Sequence, residues 1–99
     1  MTLKERLERL LINLENFDLV AFFHDDTFFQ ILEDRQELEK NYDKLSQEER
    51  KKLQNIDRII DSYYNIYKNE KLDGYAKYSF KLLEEADKVA SQHLTDIAA

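Results

Sequence analysis

The chain has 99 residues and contains no cysteine, no proline and no tryptophan, with a single glycine, Gly74. Without cysteine there is no disulfide framework, no thiolate nucleophile and no zinc site of the finger, ribbon or knuckle kind. The lack of disulfides fits a reducing compartment, so the cytoplasm is the expected location. A chain without proline and with one glycine also lacks the turn residues that a strand-rich fold needs at short intervals. Long apolar runs are missing too. The most apolar stretch, 17–32, is broken by His24, Asp25 and Asp26 and is unsuited to crossing a bilayer. Lys4, Glu5, Arg6, Glu8 and Arg9 interrupt any signal-peptide layout. Positive charge is in deficit, with 15 Lys and Arg against 21 Asp and Glu, a net charge of −6. Neither a membrane nor a nucleic-acid partner is expected of so acidic a chain, because nucleic acid needs many phosphate-neutralising cations. A basic surface is its natural electrostatic complement.

What the chain does have is helical periodicity. Ser46-Gln47-Glu48-Glu49 has the form of a capping box, in which Ser46 and Glu49 satisfy each other's backbone N–H groups. From there Leu53, Ile56, Ile60, Tyr63 and Tyr67 recur at steps of 3, 4, 3 and 4, with Ile59 and Ile66 widening the stripe. This predicts a helix of roughly seven turns that ends at Gly74, where a positive φ is tolerated. Its broad apolar face needs partners. Leu3, Leu7, Leu10, Leu11, Leu14 and Phe17 predict a first helix over 3–15, capped by Thr2 with Glu5. A second helix is expected from Leu19. Thr27-Phe28-Phe29-Gln30, another capping-box pattern, predicts a break near Asp26 and a restart at Phe28. Phe28, Ile31, Leu32, Leu38, Tyr42 and Leu45 mark its inner face, with Arg35 on the same side. Glu33, Asp34, Glu37, Glu39 and Lys40 are expected in water. Residues 41–45 read as a loop, Leu45 standing just before the Ser46 cap. Asp73-Gly74 predicts a tight turn into a fourth helix over 75–94, with Tyr78, Leu82, Leu83, Ala86, Val89, Ala90 and Leu94 inward. The short connection would make helices three and four antiparallel neighbours. A competing reading takes 20–23 and 27–29 as strands of a hairpin, which alone is marginal in water.

The expected fold is therefore all-α: one domain over 1–99, a small antiparallel bundle of four helices, or five if the second breaks near Asp26. Charge is uneven along it. Residues 13–49 hold eleven acids against three bases, giving −8, while 63–81 hold four lysines against two acids, giving +2.

Chemically suggestive residues are few. His24, Asp25 and Asp26 offer divalent-metal donors, but neighbours on a helix diverge by about 100° and need a loop to converge. His93 falls on an apolar face with Val89, Ala90 and Ile97, as a half-buried histidine does. Glu84 with Lys88 and Glu48 with Lys52 have the spacing of surface ion pairs. The aromatic residues stand out more. Tyr63, Tyr64, Tyr67, Tyr75, Tyr78 and Phe80 crowd the third turn among Lys68, Lys71, Lys77 and Lys81. Tyrosines of this kind close a bundle end, contact proteins, or, with lysines, stack on single-stranded nucleic acid. The doublets Phe22-Phe23 and Phe28-Phe29 cannot both face inward, so one of each is pushed to the rim.

The function expected is a non-catalytic, acidic protein–protein interaction module that binds a protein partner or associates with itself, for instance as a homodimer. Its candidate contact residues are Phe22, Phe29, Tyr64, Tyr75 and Tyr78. No catalytic, cofactor-binding or metal-ligating residue is assigned. One alternative is an antitoxin-like or immunity-like inhibitor covering a basic site. Another is a metal protein or enzyme built on His24, Asp25 and Asp26.

Overall fold

The computed structural model describes residues 1–16 and 27–98. Helix α1 runs Leu3–Glu15, α2 Thr27–Lys40, α3 Gln47–Tyr67 and α4 Gly74–Ala98, with a 3₁₀ turn at Tyr42–Lys44 before α3. All regular structure among the described residues is helical, and the fold is a small all-α bundle. Among the described residues, no helix is long and apolar enough to cross a membrane.

Two helix starts follow from local chemistry. The Thr2 hydroxyl accepts from the Glu5 N–H at 3.1 Å, and Thr2 N donates to Glu5 Oε1 at 3.0 Å. Ser46 and Glu49 repeat this reciprocal pair at 3.1 and 2.8 Å. Backbone donors to the two carboxylates hold both acids below the ordinary glutamate range. Leu45, immediately before the Ser46 cap, is buried in the core.

α1 ends at Glu15 as expected, while several other boundaries differ from the sequence expectation. α3 stops at Tyr67, seven residues before Gly74. One turn beyond Tyr67 the chain offers Glu70 and Lys71, which bury nothing, so the helix has no face left to pack. Gly74 does adopt the positive φ, +57°, but as the first residue of α4 rather than the last stop of α3. The carbonyl of Asp73 accepts the first α4 bond from Lys77 N at 3.4 Å. α4 also runs on past Leu94 to Ala98. Thr27 is helical rather than a cap, and the Gln30 amide oxygen accepts from Asn13 Nδ2 at 3.3 Å instead of turning back. Lys88 pairs with Glu85, at 2.9 Å, rather than with Glu84.

Cross-helix pairs fix the directions. Asn13 meets Gln30 and Arg9 meets Asp34, so α1 and α2 are antiparallel. The Tyr64 and Phe80 rings stack at 5.5 Å, and Asp61 meets Asp87, so α3 and α4 are antiparallel as well. The Tyr63 hydroxyl donates to the Leu14 carbonyl at 3.3 Å while Lys4 and Glu48 line one groove, which makes α1 and α3 parallel. α1 packs on α2 and α3, and α4 packs on the same two. α2 and α3 therefore face each other across the core. The C-terminal ends of α1 and α3 lie with the N-terminal ends of α2 and α4 at one end of the bundle.

Leu7, Leu10, Leu14, Ile31, Leu38, Leu53, Ile56, Ile60, Leu83, Ala86 and Ala90 form the core. The inward register includes acids. α2 buries Ile31, Asp34, Arg35 and Leu38; α3 buries Leu53, Ile56, Asp57 and Ile60; α4 buries Leu83, Ala86, Asp87 and Ala90. Each set has the spacing i, i+3, i+4, i+7 of a core-facing helix, and each carries a charged group within it.

Candidate functional site

The buried charges are the most constrained groups in the molecule, and most are answered internally. Asp34, expected on the wet face of α2, is fully buried. Two arginines one turn apart on α1 cover it. Arg9 Nε and Nη2 reach its two oxygens at 2.7 and 2.6 Å, and Arg6 Nη1 adds a third bond at 2.8 Å. Burying this carboxylate is tolerable because three charged donors meet its two oxygens. Arg35 is also fully buried. It grips Asp57 on α3 through Nε–Oδ1 at 2.7 Å and Nη2–Oδ2 at 3.1 Å, and its Nη1 reaches Glu39 at 3.2 Å. Burial pushes the Asp57 carboxyl above its ordinary value, and the Arg35 guanidinium opposes that shift. Glu39, also expected in water, is half-buried and takes His93 Nε2 at 2.7 Å. The His93 ring stacks on Tyr42 at 4.6 Å, and Arg50 lies 4.8 Å from the Tyr42 ring centre while donating to the Tyr42 carbonyl. His93 is thus half-buried, as its sequence position implies.

Asp87 differs. It is 8% exposed, its Oδ1 has no hydrogen-bond partner, and its neighbours are acids. Burial, then the adjoining Asp61 carboxyl, push it up to about 7.

Two concave surfaces lie toward the opposite end from the third turn. A cleft of about 600 Å³ is lined by Tyr42, Arg50, Lys51, Gln54, Asp57 and His93, among others. Its most buried polar groups, Asp57, His93 and Arg50, already bond to Arg35, Glu39 and the Tyr42 carbonyl. A groove of about 420 Å³ between α1 and α3 has Leu7, Leu11 and Ile56 as its floor and lysines and glutamates of both helices on its rim. Among the described residues, no group of three or more His, Asp or Glu is placed to hold a metal ion. His24, Asp25 and Asp26 lie outside the described residues, and so does Phe22.

The remaining contact candidates separate clearly. Tyr75 is 62% and Tyr78 60% exposed on the first turns of α4. Tyr78 was expected inward, but Ser79 takes that position, one residue on in the register with Leu83, Ala86 and Ala90. Ile66, expected on the stripe of α3, is 60% exposed. Phe29 is exposed while its neighbour Phe28 is buried, which divides that doublet. Tyr64 is half-buried against Phe80 and serves the α3/α4 contact. Ile12 is exposed as well. By the helix directions, Ile12, Phe29, Ile66, Tyr75 and Tyr78 all stand at the same end of the bundle. Lys68, Lys71, Lys77 and Lys81 are exposed around the α3–α4 connection there. Sequence reasoning singled out this aromatic-rich region but missed the burial of Asp34, Asp57 and Asp87; the signal available was a charge at the i+3 or i+4 position of an apolar stripe. The chain matches no family model, no curated protein and no solved structure.

Proposed function

We propose that the protein is a non-catalytic protein-contact module whose binding surface is the tip made by the end of α3 and the start of α4. The observation that carries this reading is the exposure of Ile66, Tyr75 and Tyr78 together with four water-facing lysines in a chain of net charge −6. Large apolar and tyrosyl surface is costly to leave in water, and tyrosine provides contact area with little entropy to lose. The lysines select a partner with an apolar centre and an acidic rim. A protein fits better than nucleic acid. Four lysines neutralise few phosphates, and the remainder of the molecule repels a polyanion. A second copy of this chain is one such partner, since 13–49 is acidic where 63–81 is basic. The inhibitor reading, in which the acidic segment covers a basic site, has less support. Asp34 and Glu39 of that segment are engaged by cations within the fold, and Glu49 is committed to capping α3.

The test is a titration of the isotopically labelled full chain, followed by backbone amide shifts. The probes are a synthetic peptide alternating Glu with Phe and Leu, its counterpart with Lys for Glu, and a single-stranded oligothymidylate. Shifts confined to 66–81 with the acidic peptide, weakening steeply with salt, are expected. Silence with that peptide at low salt, or tighter binding of the oligonucleotide, overturns the reading. Sedimentation over rising protein concentration reports the second copy.

A further inference from the structure

The α3/α4 interface encloses more negative charge than it neutralises. From α3, Asp57 and Asp61 face it; from α4 itself come Asp87 and Glu84. The buried cation of α2, which also packs on α4, is Arg35, and its donors are committed to Asp57 and Glu39. Asp87 is more than nine-tenths buried with one oxygen unpartnered, and its other neighbour across the interface is the Asp61 carboxyl. Two carboxylates are both acceptors, so their contact is a hydrogen bond only if one of them carries a proton. Asp61 is half-buried and has Asn65 Nδ2 as a donor at 3.2 Å, whereas Asp87 is buried with no donor on Oδ1. The proton then belongs on Asp87, whose burial disfavours charge.

We propose that a proton carried by Asp87 and shared with Asp61 is a structural part of the α3/α4 interface, so that α4 packs tightly on α3 when it is bound and loosens when it is lost. The raised value of Asp87, about 7, places the transition near neutrality. The folded chain keeps this proton across a range where the unfolded chain has released it. Stability from this site is therefore full below the ordinary aspartate value and is lost as pH rises through about 7. The Tyr64–Phe80 stack bridges the same two helices nearer the basic tip, so loosening reaches the surface that presents Tyr75 and Tyr78.

The experiment combines two measurements on the full chain at constant ionic strength. Denaturant unfolding at pH 5.5 and 8.0 gives the folding constant, and carbon-13 carboxyl resonances give the titration of Asp87 and Asp61. The folding constant is expected to fall roughly tenfold or more between the two pH values, because each unit of pKa difference is worth about tenfold. The Asp87 carboxyl is expected to titrate near neutrality. Asp87→Asn keeps the shape, supplies a permanent donor to Asp61, and is expected to abolish the pH dependence and to be the more stable protein at pH 8.0. Asp61→Asn is expected to return Asp87 toward ordinary values. An Asp87 resonance that titrates as an ordinary aspartate, or an undiminished fall in both variants, overturns the proposal.

Discussion

Arg35 and Asp57 clasp each other across the core through two hydrogen bonds of 2.7 and 3.1 Å, joining α2 to α3 with both side chains withdrawn from water. Such a pair contributes little net stability relative to apolar packing, because desolvation offsets its attraction, yet breaking it leaves a bare charge inside. Arg35→Leu or Asp57→Leu alone is expected to cost about 3–5 kcal/mol in denaturant unfolding. The double replacement Arg35→Met with Asp57→Leu is expected to recover most of that loss. Losses that simply add in the double variant would mean that the pair is not closed.

Asp34 answers to two arginines, so its removal and theirs are not equivalent. Asp34→Ala should cost about 1.5–3 kcal/mol, the scale of a charge-assisted contact. Arg6→Ala or Arg9→Ala should each cost less, because the other guanidinium stays on the carboxylate and both arginines are partly hydrated. A double-mutant cycle between Arg9 and Asp34 should give a coupling above that of a surface pair, which is below about 1 kcal/mol.

Two helix starts should respond differently to alanine. Ser46→Ala removes the acceptor for the Glu49 N–H and is expected to cost about 1 kcal/mol. Gly74→Ala meets no atom within 4 Å, so any loss comes from φ of +57° alone, about 1–2 kcal/mol. A stabilising Gly74→Ala would show that the turn relaxes to a negative φ.

These contacts explain which features the sequence revealed. Thr2 with Glu5 and Ser46 with Glu49 are local, each box closing over three residues, and both caps were readable. The stripe of Leu53, Ile56 and Ile60 needed only periodicity. Gly74 was recognised as the residue that takes a positive φ, but such a residue serves the start of α4 as well as the end of α3, and local pattern does not choose between them. Asp34 was misread because its burial depends on Arg6 and Arg9, 28 and 25 residues away. Asp57 and Asp87 share that difficulty: an acid one step from a core isoleucine or alanine reads as solvated until its neighbours are placed. Arg35 was the clue, since a buried guanidinium requires a carboxylate opposite. The candidate contact residues were readable only as a surplus of aromatics. Which of them face out was decided by a one-residue shift in α4, with Ser79 inward and Tyr78 outward.

The central claim is that Ile66, Tyr75 and Tyr78 are kept for contact rather than for stability. Its most direct test is the unfolding free energy of the triple variant Ile66→Ser, Tyr75→Ser, Tyr78→Ser, measured beside its binding of the Glu-Phe-Leu peptide. Each exposed position should contribute within about 0.5 kcal/mol, so the variant should stay folded at nearly unchanged stability while peptide binding disappears. A loss of stability well beyond the sum of three surface changes, about 1.5 kcal/mol, or binding that survives intact, would contradict the claim.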